Sequence, residues 1–96
     1  MNDVEKQKLI DISWQLHAQV ETAYAQSKAV EGDSNWLEKQ RYLLADMALH
    51  LLQTAMKPEE IELDKLRNNL HAILTIADRF LPGAELKKAT EKLYES

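Results

Sequence analysis

Apolar residues recur along this chain at steps of three and four, the spacing that gathers them on one side of an α-helix. Leu9, Ile12, Leu16, Val20, Ala23, Ser27 and Val30 make the first such stripe, and Ile10, Trp14 and Tyr24 widen it. The pattern predicts a helix over residues 3–30. A stripe this wide suits a helix that touches two neighbours better than a two-stranded coiled coil.

The pattern then breaks at GDSNWLEKQRY, Gly32 to Tyr42. Gly32 can close a helix in the left-handed backbone region without steric cost. Asn35 can cap the next helix, with Glu38 placed to reach back to the cap's N–H. Ser34 or Asp33 could serve as the cap instead. The second helix is expected to run to Lys57, with Leu37, Leu44, Ala48, Leu51 and Ala55 as its main face and Tyr42, Leu43, Met47 and Leu52 beside it. Pro58 fits the first turn of a following helix, and Glu59 and Glu60 suit a helix N-terminus; a start at Asp64 fits as well.

The third helix has the most regular spacing: Leu63, Leu66, Leu70, Ile73, Ala77 and Phe80, flanked by Ile61, Leu74, Ile76 and Leu81. Pro82-Gly83 ends it. A short helix over about residues 84–94 carries Leu86, Ala89 and Leu93, and is too short to stand without docking. Short connections between long helices favour antiparallel neighbours. The expected fold is an all-α antiparallel up-down bundle, three long helices plus a short C-terminal one, forming a single domain over residues 1–96.

Composition narrows this further. A chain of 96 residues with 45% hydrophobic and 29% charged residues is the size and balance of one small globular domain. Two glycines and two prolines are too few for a turn-rich β fold. With no cysteine there is no disulfide, thiolate zinc site or thiol nucleophile, which suits a cytoplasmic setting. The net charge is −4 with both signs intermingled, so nucleic acid is not an expected partner. The N-terminus is charged throughout, and the most apolar window, LLADMALHLL, is about half a membrane span, so neither an export signal nor a transmembrane segment is expected.

The sequence offers little chemistry. His17, His50 and His71 fall one to a helix, but none has a glutamate three residues before it, the spacing of helical-bundle metal sites. His17/Glu21 and Asp46/His50 stand four apart and can share a face. The plain reading places each histidine at a core boundary, and no metal or other cofactor is expected. Glycine-rich phosphate loops and nucleophile elbows are missing, so no catalytic residue is assigned. Trp14 and Trp36 are expected in the core or packed across the first turn; an exposed indole would mark a partner site. In GAELKKATEKLYES, lysines alternate with glutamates. This is either a solvated face or a recognition element, in which Lys87, Lys88, Lys92, Leu93 and Tyr94 would contact a protein partner.

LEKQRY at Leu37–Tyr42, a long apolar helix after it, and IELDKLRNNLHAILTIADR at Ile61–Arg79 resemble the enterocin A type of bacteriocin immunity protein. The similarity covers about half of the chain. The resemblance implies a cytoplasmic, non-enzymatic four-helix protein that protects a producer cell from a pore-forming class II peptide. It implies action with the membrane sugar-transport receptor that the peptide targets, and a C-terminal half that sets which peptide is countered. A helical homo-oligomer acting as adaptor or inhibitor is the alternative, since the regular third helix could equally form a self-association seam.

Overall fold

The computed structural model describes residues 1–95; Ser96 lies outside the described residues. Four α-helices follow one another: α1 (Asp3–Gln26), α2 (Trp36–Met56), α3 (Leu63–Ala77) and α4 (Leu86–Leu93), with a short 3-10 turn at Pro82–Ala84. The described residues contain no strand.

The caps explain the limits of α1. The Asn2 side chain accepts from the Glu5 N–H at 2.8 Å, and Glu5 accepts the Asn2 N–H in return. This reciprocal box satisfies two donors that a helix start would otherwise leave open. At the other end α1 stops at Gln26, four residues before the expected limit. Ser27 is extended, and the Asp33 carboxylate accepts the Val30 N–H at 2.9 Å, so residues 30–33 close a turn of their own. Gly32 sits in that turn at φ 98° rather than capping the helix. The capping box expected at Asn35 is not formed, although α2 still begins at Trp36. Pro58 does not open α3. Residues 58–60 form a bend and Glu62 is the N-cap, its carboxylate bound by Lys57 and, at 3.1 Å, by Lys65.

Side-chain pairs give the direction of each helix. Ser13 faces Gln53, while Tyr24, eleven residues on, faces Lys39. Thr54 faces Asn69, and Gln40 faces Arg79. Asn68 meets Tyr94, and Asp78 lines the same cavity as Lys87. Sequence rises on one helix as it falls on its neighbour, so all three pairs are antiparallel. The helices pack consecutively, α1 on α2, α2 on α3 and α3 on α4. The architecture is the expected up-down bundle, with the short helix docked against α3.

This bundle is an open one. A folded chain of 96 residues has a radius of gyration of about 12.5 Å, whereas this one has 15.1 Å and spans 45 × 35 × 15 Å. The buried apolar residues among those described are Ala29 and Ile76, each 5% exposed. Ser13, Gln40, Thr54 and Thr90 are buried instead. Each polar one lies in a helix seam and is hydrogen-bonded: Ser13 to Ile10 and Gln53, Gln40 to Arg79, Thr54 to His50 and Asn69, Thr90 to Lys87. Burying such groups is tolerable only when they are paired in this way.

The stripe read as the core side of α1 is therefore misplaced in part. Ile12 and Leu16 are 51% and 44% exposed, and Val30, Leu37 and Leu63 are exposed too. Helical phase explains the difference. Ser13 marks the line of contact with α2, and at 100° per residue Leu9, Ile12, Leu16 and Ala23 fall on one flank of that line. Ile10, Trp14, His17 and Glu21 fall on the other.

Candidate functional site

The C-terminal residues expected to meet a partner form part of the outer α3–α4 edge. Lys87, Lys88, Lys92 and Tyr94 are exposed, and Leu93 is half-buried. Lys88 pairs with Glu85 at 2.9 Å. Tyr94 is anchored: its hydroxyl donates to Asn68 at 2.8 Å, and its ring leans on the His71 imidazole with centroids 5.8 Å apart. A cavity of about 280 Å³ opens on this edge, lined by His71, Leu74, Thr75, Asp78, Lys87 and Thr90. Of the five predicted residues, only Lys87 lines it.

A second cluster lies in the α1–α2 seam. The antiparallel register sets His17 opposite the i,i+4 pair Asp46 and His50, and donor atoms from all three lie within 4.8 Å of one another. His17 Nδ1 contacts Asp46 Oδ1, and His50 Nε2 is 3.4 Å from Asp46 Oδ2. The second ring nitrogen of His17 is 3.0 Å from Glu21. All three members of the cluster are half-buried, whereas Glu21 is exposed. The Trp14 ring stands edge-on to both imidazoles, with centroids 5.3 Å from His17 and 6.2 Å from His50. A small hollow beside the cluster is lined by Glu21, Asp46, Tyr42 and Val20.

Both four-residue spacings are visible in the sequence. What the sequence does not contain is the register that brings them together. His71 stays apart, on α3 beside Tyr94. Trp14 is not a core residue: it is 50% exposed and covers the histidine pair. Trp36 is half-buried beneath the Arg79 guanidinium, 5.5 Å from its ring centroid.

A further ionic pair, with both pKa values shifted, lies at the α2–α3 turn. The Lys57 ammonium, hydrogen-bonded to Glu62, is held above its usual range, and the Glu62 carboxyl is held below its own by Lys57 first and Lys65 second. Both side chains are half-exposed, and the pair tethers the turn.

Comparison with family models, with curated proteins and with solved structures finds no match to this chain. No helix among the described residues is long and apolar enough to cross a membrane.

Proposed function

We propose that this chain works by binding protein rather than by catalysis, and that a second copy covers the apolar flank of α1. One observation carries the reading. A folded monomer of 11.1 kDa exposes roughly 5,700 Å², but this chain exposes 6774 Å². The excess is about 1,100 Å², and a stable protein interface buries roughly 800 Å² on each partner. Ile12 and Leu16, a turn apart on α1, supply the apolar centre that such an interface needs. Light scattering on the eluting protein across a dilution series tests this. A mass of twice the chain at high concentration, falling on dilution, is the expected result; a chain mass throughout overturns it.

A more specific form of protein binding is bacteriocin immunity. It is supported by the resemblance at Leu37–Tyr42 and Ile61–Arg79, and by the exposed Lys87, Lys92 and Tyr94 on an edge with its own cavity. The partner in that form is the membrane sugar-transport receptor with its bound peptide. Expression in a sensitive strain, followed by challenge with class II peptides, should protect against one peptide. Lys87→Glu with Lys92→Glu should remove that protection from a chain that still folds.

A further inference from the structure

We infer that His17, Asp46 and His50 form a binding site for one divalent transition-metal ion, zinc being the probe of choice, which clips α1 to α2.

The charge arrangement in the seam is the starting point. A neutral imidazole donates at one nitrogen only, yet His17 has a carboxylate at each: Asp46 at Nδ1 and Glu21 at Nε2. Asp46 in turn has an imidazole at each oxygen. Two carboxylates and two imidazoles thus meet, three of them half-buried and Glu21 exposed, and each ion pair there has histidine as its basic partner. Positive charge must be added for all of these contacts to be favourable together. A divalent ion held among the donor atoms supplies it.

The donor set fits such an ion. Two imidazoles and a carboxylate suit zinc and its first-row neighbours, and leave a fourth position for water. Asp46 and His50, four apart on α2, present their donors on one face as chelating helical pairs do. His17 reaches in from α1. Bonds of about 2.0–2.2 Å to zinc set tetrahedral donors roughly 3.4 Å apart, so the widest separation, at most 4.8 Å, closes by up to about 1.4 Å while the His17–Asp46 contact opens. His50 has that freedom, with a third of its side chain exposed.

The surroundings complete the site. With Nδ1 on the metal, His17 keeps Nε2–H for Glu21, the carboxylate–histidine–metal relay that fixes tautomer and ring orientation. The Trp14 ring stands edge-on beside both imidazoles and limits their exposure to water. Because the ligands come from two helices, binding requires the native α1–α2 register and so stabilises it.

Equilibrium dialysis of untagged protein against zinc tests the proposal. The expected result is about one zinc per chain with a raised melting temperature. His50→Gln or Asp46→Asn should weaken binding at least tenfold. Glu21→Gln, which acts through His17, should weaken it by about tenfold to a hundredfold, and His71→Gln should leave it unchanged. Cobalt gives a readout that needs no ligand variant. In Trp36→Phe protein, the visible bands of a four-coordinate nitrogen–oxygen site should appear together with quenching of Trp14. Failure of the folded wild-type chain to take up zinc overturns the site, as does binding indifferent to His50→Gln or lost in His71→Gln. Cobalt with only its hydrated spectrum overturns it as well.

Discussion

The α1–α2 seam and the outer flank of α1 lie within one turn of the same helix, yet they follow opposite rules. The seam centres on Ser13, 1% exposed and hydrogen-bonded to Gln53, with the His17–Asp46–His50 cluster beside it. The flank centres on Ile12 and Leu16 and faces solvent. A small polar residue lets two backbones approach closely at the cost of needing a partner for its hydroxyl. An apolar stripe left open signals a surface still to be covered. Within this chain, then, Ile12 and Leu16 of the α1 stripe mark the flank that the proposed second copy would cover. The buried small residues mark where the helices meet.

The sharpest way to break this contrast is at Ile76, which is 5% exposed on α3. Ile76→Ala should cost about 2–5 kcal/mol in urea unfolding. Ile12→Ala, measured on chain dilute enough to be unassociated, should stay within about 0.5 kcal/mol. Equal losses would erase the distinction between core and flank. Next in size is Leu16→Asp. A two-fold interface counts each substitution twice, and burying the exposed half of a leucine is worth roughly 0.7–1.5 kcal/mol. Association should therefore weaken about tenfold to a hundredfold, with helix content unchanged by circular dichroism.

Third, Ser13→Leu adds an apolar side chain to the seam and should nevertheless destabilise by about 1–3 kcal/mol, because the helices have no room for it. A stabilised Ser13→Leu protein would mean that the seam accepts an ordinary hydrophobic core.

These positions also show what was legible in the sequence. Helix number, order and approximate limits follow from three-four spacing, and consecutive antiparallel packing follows from short connections. The direction in which each stripe points does not. Ser13 stands next to Ile12 in the pattern, and only the inter-helix contact chooses between faces 100° apart. The end of α1 was hidden for a related reason: Val30 continues the periodicity, but the Asp33 carboxylate captures its N–H. The metal-ligand cluster was half visible, as two four-residue pairs, and its assembly depends on a register that no local pattern encodes. The short helix expected over about residues 84–94 is found at Leu86–Leu93, and its docking on α3 through Thr90 and Tyr94 is a tertiary fact.

The smallest effect belongs to the tether at the α2–α3 turn. Glu62 has a lowered pKa in the folded chain, so its contribution is in place above the ordinary value of 4.5 and is lost as the pH falls below it. Lys57 has a raised one, so its contribution is in place below 10.5 and is lost as the pH rises through the raised folded value. Glu62→Gln should flatten both limbs of the stability-against-pH curve slightly, since the groups are solvated and screened. A large change at either limb would mean that the turn carries more of the fold than its exposure indicates.

The central claim, that the open α1 flank is covered by a second copy, is tested most directly by sedimentation equilibrium of wild-type and Leu16→Asp protein side by side. The account predicts a concentration-dependent dimer for the first and a folded monomer for the second. A wild-type chain that remains monomeric at the highest concentration, or a Leu16→Asp dimer as tight as the wild type, would contradict it.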